Sequence, residues 1–400
     1  MPYTQYNEGG IFESNGHYIE HSSFTHPGGL HKKKIQLPNN SETRLTEIAE
    51  EQHIDISSVT PHHSTAVYIG ILTYGWGHFI TDCMRLVWFL RSNEYRENFS
   101  DCPLVYIPAN EFELEDSWKR LLEILGVNIS LMTPVTELTR YDEIILPDEC
   151  FFMSNGTFYF TAEYAEITGA VRDFALNHSK PLHAEKIYYS CAKYPRGAGA
   201  RYSEERLEEY FASKGYEIIA PEKLSLDDQL NALVHCKSFA STIGSSSHNS
   251  VFLRDNTEVI LIPRANYLTV YQLAINQVHP QNIHYIDSSF SIFNSKIPVN
   301  GPFFYFISSN LRKYFHDEDT ESIIYPSDFW KYLRAVFGMK FSHRLSVVDF
   351  GIVEGADNPE AYRYYSTTAA EYFGKLIKMS RPYRFRMWLK KLLRRKKLTQ

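Results

Sequence analysis

The stretch FASTIGSSSHNSVFLRDNTEVILIPR, residues 239–264, decides the fold of this chain. Its apolar start ends at Gly244, where a serine-rich turn leads into a helix-like stretch, and the β-branched run Val259–Ile262 closes the segment. The order is therefore strand, turn, helix and strand. In an open α/β sheet, ligands bind at the loop that leaves the carboxyl end of a strand. A serine-capped helix without a ligand is the alternative. The predicted ligand-facing residues are Gly244, Ser245, Ser246, Ser247, His248 and Asn249.

The composition is that of a folded protein with two domains of ordinary size. Of its 400 residues 44% are hydrophobic and 15% aromatic, which excludes a mostly disordered chain. The five cysteines form no C-x-x-C pair, which argues against a zinc site or a disulfide framework. We see no signal peptide and no apolar run near the roughly 20 residues that span a bilayer. These features predict a cytoplasmic protein.

The second half has the clearest α/β pattern. Strand-like runs over 187–191 and 216–220 alternate with single helices before the 239–264 stretch, which predicts a parallel sheet. A helical pattern over Tyr159–Leu176 bridges the halves, and Asn177–Pro181 is the most linker-like break. The predicted fold class is α/β with two Rossmann-like domains.

A basic, glycine-rich loop, AKYPRGAGAR at 192–201, follows the first strand of this half. Backbone amides can approach a ligand closely there, and arginine donors match phosphate oxygens. The loop is neither a Walker A loop nor a G-x-G-x-x-G fingerprint, so neither ATP nor NAD is implied. We predict that Lys193, Arg196 and Arg201 converge with the serine turn to hold one diphosphate. A solvated cationic loop is the alternative.

A second motif lies in AVYIGILTYGWGHFITDCMRLVWFL, residues 66–90, which reads as a buried strand, a glycine-punctuated loop and an apolar helix. His78, Asp82 and Arg85 fall at i, i+4 and i+7 and so share one helix face. Polar groups on such a helix need partners, which could be each other, the backbone or a substrate. The alternative is a capping histidine beside a structural Asp82–Arg85 pair.

These motifs together resemble glycosyltransferase family 61. The distal motif of the family, later in the chain, is similar to the serine turn and its flanking strands. The proximal, N-terminal motif is similar to Gly-His-Phe with Asp82 and Arg85. The basic loop and the helix after it match the family at Arg201 and Glu205. Many members have His-Gly-Ala-Gly where this chain has Gly-Ser-Ser-Ser-His, so the family histidine's role is not assigned to His248. The resemblance covers roughly residues 60–265.

The resemblance implies a fold, an activity and a set of substrates. It implies the GT-B arrangement, in which two Rossmann-like domains face each other across a cleft. The implied reaction is inverting, metal-independent transfer of a hexosyl or pentosyl unit from a nucleotide diphosphate sugar to a glycan or lipid-linked oligosaccharide, as in bacterial capsule or exopolysaccharide synthesis. No cofactor and no metal ligand are then expected. His78, oriented by Asp82 or replaced by it, is the expected base.

The domain boundaries follow from the same reading. We expect residues 1–176 to form the acceptor domain and 177–300 the nucleotide-sugar domain, with Lys193, Arg196, Arg201, Glu205 and the serine turn at the donor. We expect 301–380 to be a helical segment that returns toward the first domain.

The last segment, 381–400, is a separate electrostatic unit. No acidic residue follows Glu371, but eleven basic ones do, so the rest of the chain has 30 basic and 47 acidic residues. A basic amphipathic helix suits the surface of an anionic membrane, here the inner face of the plasma membrane, and the acidic body disfavours nucleic acid as the partner. The apolar residues that share one stripe are Phe385, Trp388, Leu389, Leu392 and Leu393.

Two other classes of function remain open at this stage. Gly-Ser-Ser-Ser-His invites a serine-dependent acyltransferase or hydrolase, although His248 stands where G-x-S-x-G has its second glycine. A non-catalytic sugar-nucleotide-binding protein is the other.

Overall fold

The computed structural model describes residues 10–13, 18–19, 22, 34–36, 42–44, 59, 61–73, 75–108, 114–137, 139–154, 157–194, 201–264, 268–290 and 303–341. The predicted helix 381–400 and Arg196 lie outside these ranges. Four short strands come first: β1 (Ile11–Phe12), β2 (Tyr18–Ile19), β3 (Lys34–Gln36) and β4 (Glu42–Arg44).

The first large sheet is parallel and is built around one long strand. Its strands are β5 (Pro61–Leu72), β6 (Leu104–Pro108), β7 (Met132–Pro134) and β8 (Arg140–Ile145), in the spatial order β7-β6-β5-β8. The apolar run of β5 is buried on both faces, as a central parallel strand requires. The helical elements of this half are Trp76–His78, Phe79–Cys83, Met84–Arg91, Asn93–Asn98, Asp116–Ile124 and Ile129–Leu131.

A β-hairpin and a long helix connect the halves. The hairpin pairs β9 (Phe151–Ser154) with β10 (Thr157–Phe160), and the helix Ala162–His178 follows. The predicted helix start at Tyr159 was therefore wrong. Tyr159 pairs with Phe152 across the hairpin, and this cross-strand pairing overrides the helical spacing of the apolar residues.

The second large sheet confirms the predicted parallel order of strands. Its strands are β11 (Lys186–Tyr189), β13 (Glu217–Ile219), β14 (Ser238–Thr242), β15 (Glu258–Ile262) and β16 (Asn282–Tyr285), in the order β13-β11-β14-β15-β16, all parallel. Its helical elements are Glu204–Ser213, Pro221–Lys223, Leu226–His235, Ser245–His248, Asn249–Phe252 and Val270–Val278.

A small third sheet ties the later chain to this second half. It has the order β12-β18-β17, with β12 (Arg201–Tyr202), β17 (Ser289–Phe290) and β18 (Phe303–Tyr305). The helices Ser309–Tyr314 and Pro326–Phe341 follow. Tyr332 packs against Tyr202 and Phe304, so the described part of 301–380 contacts the second half. The predicted return of the segment 301–380 to the first half involves residues after Phe341, which lie outside the described residues, so it stays a prediction.

The two faces of the second sheet pack into different cores. Ile187, Phe239 and Val259 face a large apolar cluster that also contains Val67 of the first sheet, whereas Tyr188 and its neighbours face a smaller cluster with Phe303. This alternation follows from the two-residue period of a strand. The two parallel sheets therefore share buried apolar surface, while the GT-B arrangement stays a prediction. No described helix is long and apolar enough to cross a bilayer.

The halves also touch through polar turns. Trp76 Nε1 donates to Asn249 Oδ1 at 2.8 Å, and Gly77 lies directly over the serine turn. A Cβ on Gly77 would lie 2.8 Å from Ser245 Oγ, 3.0 Å from His248 Nδ1 and 3.1 Å from Ser245 Cα. Because one of these atoms is backbone, only glycine fits without moving the turns apart.

We expect Gly77→Ala to lower the free energy of unfolding by about 1–3 kcal/mol, the usual cost of overpacking. Gly169→Ala is the matched control. Its Cβ would meet no atom closer than 3.9 Å, and it lies inside a helix, so we expect no loss or a gain of up to about 1 kcal/mol. Urea unfolding measures both. A Gly77→Ala protein as stable as the wild type would contradict the close contact.

Candidate active site

The proximal motif forms an irregular helix at the junction of the halves. An α turn at Trp76–His78 leads into a π turn at Phe79–Cys83 and a 3₁₀ helix at Met84–Arg91. π turns inside helices are frequent at functional sites. His78 Nδ1 lies 2.8 Å from Asp82 Oδ2. Arg85 instead pairs with Glu149 at 2.9 Å and is buried, so the structural Asp82–Arg85 pair considered above does not form.

Asp82 is a buried carboxylate with several donors. It is 3% exposed, and besides His78 it accepts hydrogen bonds from Thr81 Oγ1 at 3.1 Å and from the Tyr271 hydroxyl at 3.1 Å. Tyr271 belongs to the second half, in the helix Val270–Val278. With Asp82 ionised, His78 donates through Nδ1, and Nε2 is then the ring nitrogen that can accept a proton.

The serine turn is hydrogen-bonded to the helix Val270–Val278 that contains Tyr271. Ser247 Oγ accepts from the Gly244 N–H at 2.9 Å and donates to Gln272 Oε1 at 2.5 Å. Ser246 Oγ lies 2.6 Å from Cys191 Sγ. These contacts differ from the serine–histidine contact that a serine hydrolase needs, so they lend that alternative no support.

The Cys191–Ser246 contact joins the loop after β11 to the turn after β14. Arg201 returns to the same place, where its guanidinium donates to the Cys191 carbonyl at 3.0 Å. Arg201 thus bonds to the residue whose thiol contacts Ser246 of the serine turn. The convergence of Lys193, Arg196 and Arg201 on one diphosphate stays a prediction. Lys193 is exposed, two residues beyond Cys191.

A buried glutamate stands behind Arg201. Glu204 Oε2 lies 3.6 Å from Arg201 Nε, and Oε1 accepts from the Cys191 N–H and from Thr242 Oγ1, both at 3.3 Å. Burial raises the Glu204 pKa to about 7, against the opposing influence of Arg201. Glu205, which the sequence analysis placed at the donor site, is exposed. The helix beginning at Glu204 turns by about 100° per residue, so only one of the two neighbours can face inward.

Arg264 is a further cation at the turn. A Cβ on Gly244 would lie 3.1 Å from the Arg264 guanidinium carbon, which also stands 5.1 Å from the Phe303 ring centroid. Burial, followed by the positive influence of His78 and Arg264, lowers the pKa of His248 to about 3. His248 is therefore neutral near neutral pH and is packed against Gly77.

Sequence reasoning missed Glu204, Arg264 and Tyr271. Arg264 ends the quoted stretch just past a strand's carboxyl end, a position that could have indicated a ligand-facing role. Tyr271 carries no local signal. Among the residues that the structure describes, no group of three His, Cys, Asp or Glu side chains is arranged to hold a metal ion.

Glu204 predicts a specific pH dependence of stability. Its pKa is about 7 in the folded protein and near 4.5 when unfolded, so its contribution is complete below about pH 4.5 and is lost as the pH rises through 7. Relative to Glu204→Gln, the wild type should lose up to about 3 kcal/mol of unfolding free energy between pH 5 and 8.

Urea unfolding at pH 5, 6, 7 and 8 measures this difference. Glu205→Gln is the control, since it changes an exposed neighbour, and it should follow the wild type at each pH. A constant difference between the wild type and Glu204→Gln would show that Glu204 does not titrate in this range.

Comparison with known families gives one match. Residues 76–260 match the family model described as Glycosyltransferase 61, an interval that runs from the His78 helix to β15 and includes Arg201 and the serine turn. Arg264 and Tyr271 lie beyond it. No curated protein matches the chain. On this match the protein is a glycosyltransferase.

Proposed function

We propose that this enzyme transfers a hexosyl or pentosyl unit, with inversion, from a nucleotide diphosphate sugar to a glycan or lipid-linked oligosaccharide in the synthesis of a surface polysaccharide such as a capsule. One observation carries the proposal: the His78–Asp82 dyad follows Gly77, which packs against Ser245 and His248 of the serine turn, and Arg201 bonds to Cys191, which contacts Ser246 of that serine turn. The proposed base and the proposed anion-binding turn therefore adjoin, which supports direct displacement.

His78 is the proposed general base. Its acceptor nitrogen takes the proton of the acceptor hydroxyl while the hydroxyl oxygen forms a bond to the anomeric carbon. The bond from that carbon to the diphosphate oxygen breaks, and its electron pair leaves with the diphosphate. Asp82 stabilises the imidazolium that forms, since it is buried, accepts from His78 at 2.8 Å and has other donors that hold it in place.

Arg201 and Arg264 are the proposed anchors of the leaving diphosphate, together with amides of Gly244–Asn249. Two guanidinium groups offset the charge that develops on the diphosphate, and this lets the reaction proceed without a divalent ion. Lys193 and Arg196, from the same loop as Arg201, are further candidates for this role. Glu204 sets the net charge of the pocket, since its protonation leaves Arg201 without a buried counterion.

The wider assignments are also part of the proposal. The nucleotide sugar binds to the half that contains 177–300, and the acceptor binds to the half before it, across a GT-B cleft. The basic segment 381–400 attaches the enzyme to the cytoplasmic face of the plasma membrane, where a lipid-linked acceptor is presented.

We expect His78→Ala to lower kcat by on the order of 10² to 10⁴-fold, the usual contribution of a general base. His183→Ala is the matched control because His183 forms an equivalent pair with Glu217, also at 2.8 Å, but outside the site. It should retain near wild-type transfer. Sugar transfer is measured with a panel of nucleotide sugars, and a fully active His78→Ala enzyme would refute the proposed base.

Arg201→Ala should weaken nucleoside diphosphate binding by at least about tenfold, because a charge-assisted contact contributes about 1.5–3 kcal/mol. Thermal shift with UDP, GDP, ADP, CDP and dTDP tests the diphosphate site and ranks the bases. Unchanged stabilisation of Arg201→Ala by the preferred diphosphate would exclude Arg201 from the site.

Deletion of the residues after Met379 should abolish binding to liposomes that contain anionic lipid and leave transfer to a soluble acceptor intact. Neutral liposomes are the control, since they should bind neither form strongly. Equal binding of both forms to anionic liposomes would remove the membrane assignment.

A further inference from the structure

We infer that Tyr271 is a positioning residue of the catalytic dyad: its hydroxyl, supplied by the second half of the protein, holds Asp82 in the orientation that His78 requires. This inference rests on the proposed function, since it assigns a role relative to the proposed base. Tyr271 lies outside the interval 76–260 that matches the family model.

The hydrogen bonds to Asp82 are divided between its two oxygens. Tyr271 donates to Oδ1 at 3.1 Å, whereas His78 and Thr81 contact Oδ2 at 2.8 and 3.1 Å. Thr81 and His78 belong to the same helical segment as Asp82, and both contact Oδ2. Tyr271, from the second half, is the donor to Oδ1. A carboxylate held at both oxygens cannot rotate about its terminal bond without losing a charge-assisted hydrogen bond.

The Tyr271 ring packs against several other rings. Phe158 of the hairpin packs at 4.0 Å between ring centroids, and the His78 ring meets Tyr271 edge-on at 5.8 Å. The His248 ring stacks at 6.2 Å. Burial, followed by the charge of Asp82, raises the pKa of Tyr271 well above its ordinary value, so the hydroxyl keeps its proton near neutral pH.

Gln272, the residue after Tyr271, connects the same helix to the serine turn. Gln272 is fully buried, accepts from Ser247 Oγ at 2.5 Å and donates to Ser250 Oγ at 3.2 Å. Tyr271 therefore bonds to Asp82, the carboxylate beside the proposed base, and Gln272, the next residue of the same helix, bonds to the serine turn. The helix Val270–Val278 thus sets the distance between the proposed base and the proposed diphosphate site.

The test is Tyr271→Phe, compared with Tyr164→Phe. Tyr164 is fully buried, whereas Tyr271 is partly buried, and the Tyr164 hydroxyl donates at 2.7 Å to the Ile80 carbonyl, two residues from Asp82. Both variants lose one hydroxyl hydrogen bond to the same helical segment, but only Tyr271→Phe removes a bond to the carboxylate. We expect Tyr271→Phe to lower kcat on the order of tenfold with donor KM within about twofold, and Tyr164→Phe to keep kcat within about twofold.

A double-mutant cycle with Asp82→Asn separates positioning from general stability. If Tyr271 acts through the carboxylate, Tyr271→Phe should change kcat by less than about twofold in the Asp82→Asn background. Thermal unfolding of both phenylalanine variants confirms that each is folded at the assay temperature.

The outcomes distinguish this inference from the proposed function. Equal losses of kcat in Tyr271→Phe and Tyr164→Phe, or an undiminished Tyr271→Phe effect in the Asp82→Asn background, would overturn the positioning role while His78→Ala remains inactive. Full activity of His78→Ala would instead overturn the proposed base itself.

Discussion

The close approach of two turns, one from each half, is the constraint on which the site depends. Gly77 lies against Ser245 and His248 with no room for a Cβ, and Trp76 donates to Asn249 across the same junction. Because interiors are closely packed, a contact of this kind permits little adjustment. It places the His78–Asp82 pair beside the serine turn, and neither half by itself contains both components.

Two buried carboxylates near this junction have polar partners. Asp82 has donors from both halves, and Glu204 faces Arg201 while accepting from Cys191 and Thr242. A buried carboxylate is tolerated only with such partners, since taking charge out of water is costly. The two carboxylates differ in setting. Asp82 lies beside the proposed base, and Glu204 lies behind the proposed diphosphate anchor and exchanges its proton near neutral pH.

Much of the local organisation could be predicted from the sequence. The two strands of 239–264 and the helical stretch between them form in the expected order, although the helix already begins at Ser245, and the parallel sheet follows from alternating strands and helices. The glycosyltransferase activity followed from the resemblance of the two motifs and the basic loop to family 61. The start of the helix Ala162–His178 was misplaced, because hairpin pairing with Phe152 competes with helical spacing at Tyr159. A motif cannot distinguish the adjacent residues Glu204 and Glu205, and the sequence analysis selected Glu205. In the helix the two side chains lie on different faces, and Glu204 is the buried one.

What the sequence determined by itself is the set of local elements and the chemistry available at strand ends: His78, Asp82, Arg201 and the serine turn. These follow from periodicity, turn residues and side-chain type, which act over a few residues. Only the tertiary structure decided the partners. Tyr271 reaches Asp82 across 189 positions of sequence, and Arg264 packs on Gly244. Contacts of this kind depend on how the two sheets pack against each other, and no local pattern in the chain encodes that.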